Sequence, residues 1–289
     1  MPVIDGKPTV SLNKIMYATD FSPVADQAGN YAKALAHRFG STVEIVHALS
    51  SSEDDTPVAV DEIHQHIHRL TEKQKEFRAS GISTVFSQSY EYPSAGALLL
   101  MERQLGPDLI VVGTSSKSTL DRFLLGSTAE CLIRDAVCPV LTIGPHAKQL
   151  KDGPLPFEKI VFATDFSDAS NKAAGLAFAL AQDAGGHLWV VHVANTELKD
   201  ANENEGEQEH ELREQLSQMI PEEAYDWCFP VRTIEHGNPA HSILHLANRV
   251  DADLIVMGAR RKSFRLMHLR RGVTQSVLAQ APCPVLTVH

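Results

Sequence analysis

A chain of 289 residues is long enough for two domains of ordinary size, and its 43 % hydrophobic content can supply a core for each. No apolar run reaches the roughly 18 residues of a membrane-spanning helix, the opening Met1-Pro-Val-Ile-Asp-Gly-Lys lacks the basic and apolar regions of a secretory signal, and four cysteines are too few for a disulfide scaffold, so a cytoplasmic protein is expected. The net charge of −10, shared as −5 on residues 1–144 and −5 on residues 145–289, argues against membrane association and against general affinity for nucleic acid.

In chain order, Lys14–Thr19 reads as a buried strand. A helix over Pro23–Phe39 follows, with Ser22 placed to cap its start and Gly40 to end it. Thr42–Ala48 reads as a second strand. A polar stretch, Ser50–Thr56, leads to a long helix near Val58–Ala79. Ser83–Ser87 is the third strand, Ser94–Leu105 the third helix and Asp108–Gly113 the fourth strand. A loop over Thr114–Leu125 precedes a helix starting at Gly126-Ser127, and Pro139–Ile143 closes the series as a fifth strand. Strict alternation of strand and helix implies a parallel sheet with crossover helices. Continuous apolar runs such as Leu109-Ile-Val-Val112 suit strands covered on both faces.

The same order returns from Lys159 to Val288. Lys14-Ile-Met-Tyr-Ala-Thr-Asp-Phe-Ser22 recurs as Lys159-Ile-Val-Phe-Ala-Thr-Asp-Phe-Ser167, Asp108-Leu-Ile-Val-Val-Gly113 as Asp253-Leu-Ile-Val-Met-Gly258, and Cys138-Pro-Val-Leu-Thr-Ile143 as Cys283-Pro-Val-Leu-Thr-Val288. All three pairs share an offset of 145 positions, so a whole domain is duplicated rather than a short solenoid unit. Domains over 1–145 and 159–289, joined by a Pro- and Gly-rich linker at 146–158, are expected. Cys138 and Cys283 occupy equivalent places and read as buried structural thiols.

In an open parallel sheet, ligands bind beyond the carboxyl ends of strands where the strand order reverses. Two segments have the composition for such a crevice: Ala18-Thr19-Asp20-Phe21-Ser22 after the first strand, and the loop from Gly113 to Gly126-Ser127-Thr128 after the fourth. A glycine at a strand exit permits close backbone approach. Gly-Ser-Thr at a helix start offers free N–H groups, two hydroxyls and the positive end of a helix dipole, which suits phosphate. The Asp20 carboxylate either accepts from an adenine amino group or simply closes the turn after the first strand.

Together, the duplicated Ala-Thr-Asp-Phe-Ser, the second-strand Val46-His47-Ala48 and Val191-His192-Val193, the Asp-Leu-Ile-Val-x-Gly strand and the terminal Cys-Pro-Val-Leu-Thr make the chain resemble the universal stress protein family, specifically its tandem members. The resemblance implies an α/β fold of two tandem, doubly wound, five-stranded parallel sheets with strand order 3-2-1-4-5. That fold is Rossmann-like, akin to the adenine nucleotide alpha hydrolases. The resemblance also implies a homodimer, domain pairing along the fifth strands, and ATP, with or without Mg2+, as the cofactor. ATP-binding members carry Gly-x2-Gly-x9-Gly-Ser/Thr after the fourth strand. Here the first copy reads Gly113-x2-Ser116-x9-Gly126-Ser127, with spacing intact and one glycine replaced. The second reads Gly258-x2-Arg261-x10-Gly272-Val273, with one residue gained and the hydroxyl lost. The resemblance assigns Asp20 or Asp165 to adenine recognition and Ala48 or Val193 to adenine contact through the backbone. The nucleotide-binding set expected in the first copy is therefore Ala18, Thr19, Asp20, Phe21, Ser22, Ala48, Gly113, Ser116, Gly126, Ser127 and Thr128. A degenerate second site comprises Asp165, Val193, Gly258, Arg261 and Gly272.

Two further clusters have plain readings. Arg260, Arg261, Lys262, Arg265, Arg270 and Arg271 oppose the acidic segment Glu197–Asp226; both read as solvated faces or as an anion or partner site. Of His64, His66 and His68, His64 and His68 share a helix face, which reads as solvated; neither they nor any other motif makes a catalytic metal centre. No catalytic base is evident. The expected function is that of a stress-response sensor or regulator binding an adenine nucleotide in the first domain, with at most slow ATP hydrolysis. The rivals are a nucleotide-free scaffold or chaperone-like protein, and a binder of another small ligand in the second crevice.

Overall fold

The computed structural model describes residues 8–49, 60–89, 94–114, 126–151, 153–194, 205–259 and 272–289. It resolves into two compact units, one of Ser11–Pro145 with Gln149–Leu155, the other of His146–Lys148 and Pro156–His289 with residues 8–10.

The first unit runs β1 (Lys14–Ala18), α1 (Pro23–Phe39), β2 (Thr42–Ala48), α2 (Val60–Ala79), β3 (Thr84–Ser89), α3 (Ser94–Leu105), β4 (Leu109–Gly113), α4 (Ser127–Asp135) and β5 (Val140–Ile143). Its strands are all parallel in the order β3-β2-β1-β4-β5, with Ile15 opposite Val43 on one side and Leu109 on the other. The second unit repeats this with β6 (Lys159–Ala163), α5 (Asp168–Ala184), β7 (His187–Ala194), α6 (Glu205–Met219), β8 (Phe229–His236), α7 (Pro239–Arg249), β9 (Leu254–Gly258), α8 (Val273–Gln280) and β10 (Val285–Val288). Its order is β8-β7-β6-β9-β10, again parallel. The expected order and parallel sense are thus present in both copies.

Central strands are buried on both faces: Ile15, Met16 and Tyr17 in β1, Ile160, Val161 and Phe162 in β6. α1 lies close to β1 because its inner face is small. A Cβ at Gly29 would stand 3.0 Å from the Tyr17 ring, whose hydroxyl donates to Ala25 O at 2.7 Å. Each terminus of α1 is closed as its sequence suggests. Ser22 Oγ accepts from Ala25 N at 3.2 Å, and Gly40 takes the left-handed conformation at φ 70°. Ser22→Ala should cost about 1 kcal/mol in urea unfolding, since an N-cap oxygen is lost; an unchanged midpoint would show the cap to be redundant.

Strand ends depart from expectation by one or two residues, with identifiable causes. Thr19 leaves the strand but still donates its N–H to Val46 O at 3.0 Å. Asp108 lies just before β4, and its Oδ2 accepts from Asn13 N at 2.7 Å and Lys14 N at 2.9 Å. Asp253 does the same for Lys159 N at 3.0 Å. The repeated Asp before Leu-Ile-Val therefore ties neighbouring strand starts together. β3 extends to Ser89, opposite Ala48, through residues that carry no strand signature.

Cys283 is buried, and burial raises its thiol to about 12. Cys138 is only half-buried, so the equivalence expected from the repeat holds for position but not for depth. Among the described residues, no helix is long and apolar enough to cross a membrane.

Candidate functional site

In the first unit the strand order reverses between β1 and β4, so the crevice beyond their carboxyl ends is the candidate site. Its first wall is the turn after Ala18, and every polar side chain there has a local task. Thr19 Oγ1 accepts from Phe21 N at 3.0 Å, Asp20 Oδ1 from Ser22 N at 2.9 Å, and Ser22 Oγ from Ala25 N. These three bonds hold Phe21 at φ 60°, a left-handed conformation that costs a non-glycine residue about 1 kcal/mol or more. Asp20 is nonetheless exposed, and among the described residues its second carboxylate oxygen takes no hydrogen bond. Ala48, half-buried at the end of β2, stands on the same side.

The second wall follows β4. A Cβ at Gly113 would lie 2.8 Å from Ala25 N and Val24 C, so this glycine serves the approach of the first turn of α1. The sequence reading gave it to a ligand; its demonstrable partner is a helix. Ser116 lies outside the described residues. Gly126 is the N-cap of α4 at φ −62°, ψ 140°, with no side-chain acceptor on the first-turn amides. Because α4 is the crossover from β4 to the parallel β5, this start faces the carboxyl side of the sheet. Exposed Ser127 and half-buried Thr128 follow.

The second unit reproduces the first wall. Thr164 Oγ1 accepts from Phe166 N at 3.0 Å and Asp165 Oδ1 from Ser167 N at 3.1 Å; Phe166 has φ 58°. Val193 is half-buried in β7. A Cβ at Gly258 would meet Ser170 N at 2.5 Å. The helix start differs, though not as expected. The extra residue does not displace Gly272 from the N-cap of α8; instead Gly272 N donates to Gln275 Oε1 at 3.1 Å. The first-turn position of Gln275 is filled in α4 by Ala129, which has no acceptor to offer. Arg261 and the rest of the Arg260–Arg271 cluster lie outside the described residues, as does the acidic segment before Glu205.

Sequence reasoning missed His66. It paired His64 with His68 as a solvated face, yet His66 is the imidazole that turns inward, stacked on His47 with ring centres 4.8 Å apart and on Phe21 at 6.0 Å. The signal was present: His66 lies one turn before Leu70 on the face that buries Leu70 and Phe77. His47 packs on Phe21 at 4.8 Å, and its Nδ1 donates to Thr19 O at 2.7 Å. Burial lowers its pKa below that of a free imidazole. His192 copies this arrangement, with Nδ1 donating to Thr164 O at 2.9 Å, its ring stacked on Phe166 at 4.6 Å, and its pKa likewise lowered by burial.

Residues 11–144 and 156–289 each match the model of the universal stress protein family. A universal stress protein of Methanocaldococcus jannaschii is 30 % identical over 146 residues, covering 48 % of this chain and 86 % of that protein. One from Mycolicibacterium smegmatis is 28 % identical over 197 residues, covering 67 % of this chain and 65 % of that protein. Among solved structures, a universal stress protein from Archaeoglobus fulgidus overlays 96 % of this chain and 99 % of its own at 20 % identity, with a TM-score of 0.75, a likeness of fold.

Proposed function

The chain belongs to the universal stress protein family, and we propose that it binds one adenine nucleotide, in the β1/β4 crevice of its first repeat, and acts through the resulting change of conformation and partners. The observation that carries this reading is the contrast between helix starts. Gly126 opens α4 with two hydroxyls behind it, Ser127 and Thr128, whereas Gly272 opens α8 with Val273 and one hydroxyl, Thr274, and its own N–H is taken by Gln275; neither N-cap supplies a side-chain acceptor to the first-turn amides. Free N–H groups at a helix start are what a phosphate needs. Asp20, with one oxygen holding the turn and the other uncommitted, is suited to an adenine amino group. The ligand favoured is ATP; Mg2+ would accompany the phosphates rather than a protein cage.

Titration with a fluorescent ATP tests this. Asp20→Asn keeps an oxygen for Ser22 N but removes the carboxylate, and Gly126→Val crowds the helix start. Each should weaken binding at least about tenfold, equivalent to about 1.4 kcal/mol. Calorimetry should give one nucleotide per chain, and Asp165→Asn should leave affinity unchanged. Two equivalent sites, or equal affinity in wild type and both first-repeat variants, would overturn the reading. The second outcome would favour a nucleotide-free scaffold, a reading supported by the local capping bonds of Thr19, Asp20 Oδ1 and Ser22.

A further inference from the structure

α2 brings two residues onto the turn after β1 that the site itself does not require. The Arg69 guanidinium lies 4.1 Å from the centre of the Phe21 ring and reaches Phe21 O at 3.4 Å. His66 stacks on His47 and Phe21. In both imidazoles Nδ1 faces a carbonyl, Thr19 O for His47 and Glu62 O for His66, so Nδ1 carries a proton in each ring. His47 is 7 % exposed, and its Nε2 is buried without a hydrogen-bond partner among the described residues. The cluster thus packs around a His47 ring whose Nε2 has no partner among the described residues. A proton on His47 Nε2 would have no bonded acceptor in the closed arrangement, and His66 and Arg69 would oppose it.

We propose that α2 is a proton-sensitive cover on the first crevice, closed by His66 and Arg69 over Phe21 and His47 at neutral pH and released when His47 takes up a proton. The charged groups acting on His47 are His66 and Arg69 from α2 and Asp20 from the turn; the first two oppose its protonation, and Asp20 favours it. β3 sets uncharged Gln88 beside it, and α3, packed on β2, directs Glu102 to the Val137 and Cys138 amides. The closed state holds His47 below the free value of about 6.5. The open state consequently binds more protons in that window. Closure is complete above about pH 6.5 and weakens as pH falls towards the lowered value. One unit below 6.5 the open population should rise by up to about tenfold. The second unit pairs Phe166 with His192, and no cation or second imidazole of α6 lies on that pair among the described residues. Among the described residues, the device is thus found in the first repeat. Its use as a control on ligand entry rests on the nucleotide reading above; the opening itself does not.

Hydrogen exchange of the amides of residues 62–69, corrected for intrinsic rates and measured without nucleotide, tests the cover. Wild type should lose protection, by up to about tenfold, between pH 7.5 and pH 5.5. His47→Asn, whose side-chain amide can still donate to Thr19 O, should lose none, and His66→Ala should be open at pH 7.5. An NMR titration of the imidazoles in wild type should show His47 titrating below 6.5, together with the exchange change. Equal protection at both pH values, or the same acid effect in His47→Asn, would overturn the proposal. Fluorescent ATP should bind more tightly, by up to about tenfold, at pH 5.5 than at pH 7.5 in wild type but not in His47→Asn. Acid opening with no ATP binding at either pH would sink the nucleotide reading while leaving the cover standing.

Discussion

Gly258→Ala is expected to destabilise the second unit by about 3 kcal/mol, the upper end of ordinary overpacking. The added Cβ would stand 2.5 Å from Ser170 N and 2.6 Å from Ala169 C. Both are backbone atoms in the first turn of α5, so no rotamer can relieve the contact. α5 would have to retreat from β9, opening the packing of Ala173, Ala174, Ala177 and Phe178, all of them buried. Gly113→Ala should cost less, because its nearest contacts, with α1, are 2.8 Å. Gly175, also in α5, has open space at its Cβ position, so Gly175→Ala should be neutral or stabilising by up to about 1 kcal/mol. Urea titrations of the three variants check the ranking. A Gly258→Ala midpoint within about 0.5 kcal/mol of wild type would mean that the helix and strand can separate freely.

Phe77→Ala should cost about 4 kcal/mol, within the range for buried aromatic deletions. Phe77 has no exposed surface and stacks on Tyr17 with ring centres 5.7 Å apart and planes 17° apart. It and Leu70 are the buried side chains of α2, whose other described residues face outward or lie at the rim. Lys33–Glu76 and Lys73–Asp26, each at 2.9 Å, line that rim, but their carboxylates are 43 % and 50 % exposed and such pairs contribute about 1 kcal/mol at most. Chemical unfolding should therefore separate Phe77→Ala sharply from Glu76→Gln. If the two cost the same, α2 would be held by charge rather than by burial.

Much of the fold was legible because repetition multiplies weak signals. Lys14–Ala18 and Lys159–Ala163 are the same strand written twice, and apolar runs of that kind suit few other structures. Ser22 and Gly40 marked the ends of α1 by chemistry that acts within a single turn. What lay hidden depends on residues far apart in sequence. Asp108 looks like a strand residue until Asn13 and Lys14 arrive 95 and 94 positions away to use its carboxylate. Gly113 looks like a ligand glycine until the first turn of α1 occupies the space. His66 was masked by its neighbours: three histidines at alternate positions invite pairing by spacing, while burial picks the one in line with Leu70. Gln275 was overlooked because a side chain that caps its own helix has the same composition as one facing solvent.

The Thr-Asp-Phe-Ser turn has an evolutionary consequence. Its three side-chain bonds, identical in kind at Thr19, Asp20 and Ser22 and at Thr164, Asp165 and Ser167, are needed to start α1 and α5 whether or not a ligand is ever present. After a gene duplication, folding alone would preserve them in a copy freed from its original task. Those bonds are thus silent about present use; the second Asp20 oxygen is what the turn leaves for a ligand. The difference between the copies lies at the opposite wall, where Gln275 accepts the Gly272 N–H and Ala129 offers Gly126 no such acceptor.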